Sequence, residues 1–469
     1  MQPTARFRPA LESVQRHPAS FRDPDAAVFI AGERVLRALT AEAAARYDAV
    51  RATGLIDALE ADGFIVRSRE ALDKPPAGFA RMLEHEALAF VSHPYEWPFS
   101  LLKRAALLHL DVHQRALERE VTLTDASAYN VQFRGTRPVF IDITSFRPYR
   151  EGELWAGHRQ FCEQFLNPLL LAARFGIAHH AWYRGSLEGI PTTALAALWP
   201  ASGWISPREL IHVLLPAGAE RAAARRTTAS VEKIRRAHLP KAGYAALLRQ
   251  LRRWIAGLEP RGFSATQWAD YARARNYGAA ELEAKRRVVA EFAARVRPGT
   301  LWDVGCNDGE FTEIALANGA RSAIACDADP GALERACSRA ERGGLELLPL
   351  FQDASNPSPA QGWLGRERAS LADRPRADAV MALAFEHHLA LGRNLPLVEV
   401  VAFLMAMAPK GLVEFVPKGD ATVQRMLALK GDIFPGYSEE RFVAALTARA
   451  HVVRTDTLAG GRKLFWYEA

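Results

Sequence analysis

The stretch Leu301-Trp302-Asp303-Val304-Gly305-Cys306-Asn307-Asp308-Gly309-Glu310-Phe311 decides the fold of the C-terminal part of this chain. An apolar run ends on an acid, two glycines follow, and a helical pattern resumes. That order reads as strand, tight loop, helix. Glycine gives the loop backbone conformations that a side chain forbids and lets a ligand come close to the main chain. In an open α/β sheet, ligands bind outside the carboxyl ends of the strands, where such a loop sits. Further along, Ala323-Ile324-Ala325-Cys326 ends at Asp327. An acid roughly 20 residues past the glycines is placed to accept hydrogen bonds from ribose hydroxyls. The next run, Leu348-Pro349-Leu350-Phe351, leads to Asp353, which is placed to accept from an adenine amino group. Strands are expected at 301–304, 322–326, 345–350, 379–383 and 412–415, with a late pair at 451–455 and 463–467. Strands that alternate with helices imply a doubly wound, mostly parallel sheet, here of seven strands with an antiparallel edge.

Taken together, Asp303, Gly305, Gly309, Asp327 and Asp353 resemble the class I S-adenosylmethionine-dependent methyltransferase pattern. The resemblance implies a Rossmann-like domain over residues 298–469. Its cofactor, S-adenosyl-L-methionine, would lie on Asp303, Gly305, Cys306, Asn307, Gly309, Phe311, Asp327 and Asp353, with Asp303 toward the methionine end. A nicotinamide site would carry G-x-G-x-x-G, which this loop lacks. Residues 264–469 also resemble a narrower group, methyltransferase-like proteins related to a rhizobial nodulation protein. The matching residues are Trp268, Tyr271, Tyr277 and Lys285, the 307–311 turn, Asn356-Pro357-Ser358-Pro359, His387-His388-Leu389, Glu414-Phe415-Val416-Pro417-Lys418 and Phe434-Pro435-Gly436-Tyr437. Phe385-Glu386 departs from that pattern, where apolar residues are expected.

At the carboxyl ends of the fourth and fifth strands, four residues are candidates for chemistry: His387, His388, Glu414 and Lys418. A neutral imidazole is a general base for an acceptor that must lose a proton, or it closes the pocket through a backbone hydrogen bond. Glu414 lies in an apolar strand, so its charge needs a partner or a substrate. Lys418 either binds an acidic group of the acceptor or is a surface lysine after a proline turn. The two histidines lack an evident third ligand, so no metal site is assigned.

The N-terminal half carries another pattern: Asp125-Ala126-Ser127-Ala128-Tyr129-Asn130, then Pro138-Val139-Phe140-Ile141-Asp142. A hairpin (27–39), a helix (41–61), a β-like run (87–92), a connector (93–98) and a long helix (100–119) precede it. This order resembles the kinase-like α+β fold, in which the loop Asp is the base and the Asn and later Asp hold magnesium. The resemblance makes Asp125, Asn130 and Asp142 candidates for ATP and Mg2+. It also has gaps: no glycine-rich loop, Arg37 as the nearest cation on the equivalent strand, and Ile143-Thr144 after Asp142. A pseudokinase that binds ligand or positions substrate fits as well.

The 469 residues divide into a loose arm (1–25), the kinase-like unit (26–215), a helical linker (216–297) and the methyltransferase-like unit (298–469). Net charge is +7 without a long Lys/Arg block, which argues against dedicated nucleic-acid binding. The charge reads as attraction to an acidic partner or as arginine spread over a surface. Four cysteines without a C-x-x-C pair point to reduced thiols and a cytoplasmic location. No signal peptide or membrane span is evident. Three functions remain: methyl transfer to a small-molecule acceptor, a bifunctional phosphotransferase/methyltransferase, and a non-catalytic protein partner that retains cofactor binding.

Overall fold

The computed structural model describes residues 15–200, 205–223, 238–263 and 278–469. Most of the expected arm, together with Trp268, Tyr271 and Tyr277, lies outside the described residues.

The chain first builds an antiparallel sheet from β1 (Gln15–Arg16), β2 (Ala26–Ala31), β3 (Arg34–Leu39), β4 (Ser68–Glu70) and β5 (Arg81–His85), in the order β1-β2-β3-β5-β4. Its central hairpin, β2–β3, is the expected one. The expected 41–61 helix is two helices, α1 (Ala41–Arg51) and α2 (Leu55–Ala61). Gly54 between them has φ +70°, in the left-handed region, which interrupts the helix. The run 87–92 is not a strand. The pairing strand, β5, comes earlier, and Phe90 meets Trp302 of the C-terminal half edge-on with ring centroids 5.4 Å apart.

The long helix α3 (Phe99–Glu118) buries Leu101, Leu102, Ala105, Leu108, Val112 and Leu117 along one stripe. Then come β6 (Val121–Leu123), the hairpin β7 (Val131–Arg134) and β8 (Arg137–Phe140), and β9 (Phe146–Pro148), which pairs with β6. Within the expected linker, α4 (Lys241–Ala256) is not a solvated spacer. Its apolar face buries Tyr244, Leu248, Leu251 and Ile255, and Arg252 reaches back to Asp111 on α3. An amphipathic repeat needs a surface to cover, and α3 supplies it.

The C-terminal half runs α5 (Ala279–Val296), β10 (Thr300–Val304), α6 (Glu310–Ala317), β11 (Ser322–Asp327), α7 (Pro330–Gly343), β12 (Leu347–Phe351), β13 (Ala379–Ala382), α8 (Leu397–Met407), β14 (Lys410–Phe415), α9 (Ala421–Lys430), α10 (Glu439–Thr447), β15 (His451–Thr457) and β16 (Lys463–Glu468). The sheet order is β12-β11-β10-β13-β14-β16-β15. β10 to β14 are mutually parallel, and β16 lies antiparallel between β14 and β15. From β10 the chain first winds outward to β12 and then returns to β13 on the other side. The crevice between β10 and β13 is therefore the switch point where ligands settle in such sheets. At the far edge, β15 carries a bulge between Val452 and Arg454.

Candidate active site

Asp303 is the penultimate residue of β10 and is 2% exposed. Thr312 Oγ1, on α6, donates to it at 2.5 Å. Burial pushes the Asp303 carboxyl up to about 7. The following loop holds two left-handed residues, Gly305 (φ +78°) and Asn307 (φ +49°). The amides of Gly305 and Cys306 both donate to the Cys326 carbonyl, at 2.8 and 3.0 Å, which stitches the loop to β11. Asn307 N–H then donates to Asp327 Oδ2 at 2.9 Å, and Asp329 N–H donates to Asp327 Oδ1 at the same distance. Burial pushes the Asp327 carboxyl up to about 6.

A cavity of about 430 Å³ opens over these loops, within the range of pockets that hold drug-sized ligands. Every residue expected to hold the cofactor lines it except Gly309. Gly309 instead starts α6 with φ +77°, and a Cβ there would touch the Ala336 side chain at 3.5 Å. The donor set suits a nucleoside. A carboxylate offers about four acceptor positions, and Asp327 spends up to three on the backbone amides of Asn307, Ala328 and Asp329. Asp353 Oδ1 accepts from the amide and hydroxyl of Ser355 at 2.9 and 2.6 Å, while Oδ2 faces Arg393 only at 3.9 Å.

Of the four residues expected to act on the acceptor, the structure brings His388 alone to the cavity wall. Burial, followed by the adjacent His387, pushes His388 down to about 3, so its ring is neutral at pH 7. His387 is fully buried behind it, with Nδ1 3.4 Å from Glu386 Oε2. Glu414 is 1% exposed and pairs with Lys285 at 2.6 Å. It also accepts from Ala384 N–H at 2.7 Å, with Arg462 3.6 Å away. Burial would raise this carboxyl, but Lys285 and Arg462 outweigh it and hold Glu414 below its ordinary range. Its partner is thus a cation of the protein. Lys418 is held by Asp432 at 2.7 Å and by the Phe434 carbonyl at 2.9 Å, away from the cavity. Glu386, the polar departure noted in the sequence, is buried and accepts from Val416 N–H at 2.9 Å and Tyr437 Oη at 2.7 Å. It ties together the loops after β13 and β14 and does not add polarity to the cavity.

Lys285 and Phe385 are among the cavity residues not singled out from sequence for this role. Lys285, on α5, reaches the cavity with Nζ 5.0 Å from the Phe311 ring centroid. Its spacing held the clue: it shares a helical stripe with Val288, Val289 and Phe292, where a lysine needs a partner. Phe385 stands over the glycine loop, so that a Cβ on Gly305 would come 2.6 Å from its ring. Ala384 before it has φ +50°, a conformation that alanine rarely adopts, here anchored by Glu414.

In the N-terminal half, Asp125, Asn130 and Asp142 do come together. Asn130 Nδ2 donates to Asp125 at 3.1 Å, and Ser145 Oγ bridges Asp125 and Asp142 at 2.8 and 2.5 Å. Arg37 on β3 pairs with Asp142 at 2.8 Å, and Thr144 Oγ1 donates to the same oxygen at 2.6 Å. Burial, then Asp142, pushes Asp125 up to about 6. Burial acts the same way on Asp142, but Arg37 and the two hydroxyls prevail and lower it. Among the described residues, no group of three or more His, Cys, Asp or Glu side chains is arranged to hold a metal. No described helix is long and apolar enough to cross a membrane.

Strand order, glycine loop and the acids at the ends of β10 and β11 and just after β12 define a domain of the Rossmann-like methyltransferase fold. No family model matches the chain. It is 45% identical over 451 residues to the nodulation protein NoeA of Rhizobium meliloti (strain 1021), covering 95% of this chain and 94% of that one. The chain belongs to the NoeA family of nodulation proteins. Among solved structures it is similar to the N-methyltransferase NodS of Bradyrhizobium japonicum WM9 in complex with S-adenosyl-L-homocysteine. That match has 16% identity and a TM-score of 0.30 and covers 47% of this chain and 96% of that one. The magnesium protoporphyrin IX methyltransferase ChlM of Synechocystis PCC 6803 with bound S-adenosylmethionine matches at 16% identity and TM-score 0.31, over 44% of this chain and 93% of that one.

Proposed function

We propose that this protein transfers a methyl group from S-adenosyl-L-methionine to a small-molecule or biosynthetic-intermediate acceptor, in the cytoplasm. The observation that carries the reading is the convergence of Asp303, Gly305, Asp327 and Asp353 on one cavity at the switch point of the sheet. The cofactor supplies an electrophilic methyl on a sulfonium. The chain's own residues bind and orient. Asp327 would accept from the ribose diol and Asp353 from the adenine amino group, while Gly305 lets the main chain approach. Transfer by in-line displacement draws its rate mainly from proximity and orientation.

His388, neutral and on the cavity wall, orients the acceptor as a hydrogen-bond partner. Its depressed pKa makes it a poor proton store at pH 7, so this role fits better than that of a strong base. His387, Glu414 and Lys418 hold the loops that carry these groups. Calorimetry with S-adenosyl-L-homocysteine tests the reading: the wild type binds, and Asp327→Ala binds at least about a hundredfold more weakly, as for a lost charged hydrogen-bonding partner of about 3 kcal/mol. Equal binding by both rejects it.

The clustering of Asp125, Asn130 and Asp142 supports a second reading for the N-terminal half, a kinase-like unit that binds ligand or positions the acceptor. The ion pair with Arg37 and the two hydroxyls already engage the Asp142 carboxylate, the group a magnesium site needs. This favours ligand binding over phosphoryl transfer. A thermal-shift series with ATP and Mg2+ on wild type and Asp142→Asn separates the two. A bifunctional phosphotransferase shifts with nucleotide and loses the shift in the variant. A non-catalytic partner protein predicts that His388→Ala leaves every cellular phenotype intact.

A further inference from the structure

The segment 93–98 of the N-terminal half inserts against the adenine-side wall of the cavity, and Glu96 is its centre. Glu96 is completely buried. Its carboxylate meets Arg374 twice, at 2.6 and 2.8 Å, and takes Gln352 Nε2 at 2.7 Å and the His93 amide at 2.8 Å. Burial would raise its pKa, but Arg374 and the other donors outweigh that and hold it at about 2, so it is a carboxylate at any working pH. Arg374 and Gln352 belong to the C-terminal half, and both lead to the cavity.

Gln352 lines the cavity and immediately precedes Asp353. Its own amide donates to the carbonyl of Asp327 at 2.9 Å. Arg374 closes the loop that carries Leu371, another cavity residue, whose amide donates to the Ser358 carbonyl at 2.9 Å. Ser358 in turn donates its amide to Gln352 Oε1 at 3.3 Å. One carboxylate from outside the methyltransferase-like unit therefore pins both sides of the adenine end. Beside it, His180 stacks on Phe351 at 4.0 Å and 3° while its Nδ1 lies 3.0 Å from the Tyr95 carbonyl, which fixes the end of β12 from the same side.

We infer that Glu96 is a positioning residue for cofactor binding: the N-terminal half sets the affinity of the adenosine end through the Glu96–Gln352 and Glu96–Arg374 contacts. The inference rests on the reading of the cavity as an S-adenosylmethionine site. A hydrogen-bonded network that is fully satisfied is rigid, and the loss of one charged member lets the others move. A contact of about 1.4 kcal/mol lost at the adenine end is about tenfold in affinity.

The test uses the full chain with Glu96→Gln, titrated calorimetrically with S-adenosyl-L-homocysteine and, separately, with adenosine. Both dissociation constants are expected to rise about tenfold, and by the same factor. Arg137→Ala, at the exposed Arg137–Glu346 pair across the same interface, is expected to leave both constants unchanged. A role in stability alone would lower Tm and binding stoichiometry but leave the constants of the folded fraction as they were, and that result overturns the inference. So does an equal loss in Arg137→Ala. Should Glu96→Gln not fold, Arg374→Lys, which keeps the charge but not the double contact, carries the same expectation. Absence of any binding by the wild type removes the cofactor reading and this inference with it. Binding by wild type and variant with equal constants overturns the inference alone.

Discussion

The Lys285–Glu414 pair lies inside the protein, with side chains 1% and 0% exposed and 2.6 Å apart. Glu414→Gln keeps an acceptor for Ala384 N–H but takes from the buried Lys285 ammonium the carboxylate that meets it at 2.6 Å. Removing one partner of such a pair costs about 3–5 kcal/mol, because the remaining ion stays desolvated. For a unit of this size, each kcal/mol shifts Tm by about 2–4 °C, so the expected fall is about 6–20 °C. Lys285→Met combined with Glu414→Gln removes both charges and keeps the stem of the lysine. It is expected to recover most of the loss, since replacing both partners can be nearly neutral. Urea unfolding followed by far-UV circular dichroism, fitted for the wild type, both single variants and the double variant, gives these costs. A single-variant cost below about 1 kcal/mol, or a double variant whose cost equals the sum of the singles, would refute the account, because neighbours in one network must couple.

Asp327 titrates near 6 in the free protein, and the diol prefers the carboxylate. Affinity for S-adenosyl-L-homocysteine is therefore expected to fall as pH drops through 7 and then 6, where Asp303 and Asp327 take up protons, and Asp327→Asn to bind weakly and lose only the step near 6, by calorimetry between pH 5 and 8. Gly305→Ala sets a Cβ 2.6 Å from the Phe385 ring at φ +78°. It should cost about 1–3 kcal/mol in backbone strain and abolish cofactor binding, whereas Phe385→Ala in the same chain relieves the clash but not the strain. His109 is buried with neither ring nitrogen hydrogen-bonded, and burial pushes it down to about 3 from 6.5. Its folded pKa lies below its unfolded one, so its effect is absent above pH 6.5, and stability is lost progressively as pH falls from 6.5 toward 3. His109→Leu should flatten the pH dependence of unfolding by about 1.4 kcal/mol per pH unit in that window.

The C-terminal fold was legible because its signals are local. An acid at a strand end, glycines in a loop and apolar runs at regular intervals each follow from a few neighbouring residues, and the seven strands appear where those runs lie. That the expected residues other than Gly309 would share one cavity was legible for the same reason. The reacting end was not. Glu414 needed a partner, and that partner, Lys285, is far away in sequence. Which of His387 and His388 faces the cavity depends on a left-handed turn at Ala384, and no propensity announces that turn for an alanine. The break at Gly54 and the burial of α4 against α3 also escaped, the first because a glycine in a helical pattern is often tolerated, the second because an amphipathic stripe does not name its cover. Glu96 sat unremarked in a proline-rich connector, since its importance arises only where the two halves meet.

The bulge in β15 has a consequence for how copies of this protein meet. A bulge twists an edge strand away from a flat template. Here it sits beside Arg454, which is paired with Glu291 and Asp456, so an incoming strand would meet charges. At the opposite margin, β12 carries Pro349, which has no N–H to offer, and the turn at Gly135 of the N-terminal half lies against the Leu345 carbonyl that leads into it. The long sheet thus ends in an obstacle on each flank. It can be crowded with its own kind during synthesis without extending, strand by strand, from one molecule into the next.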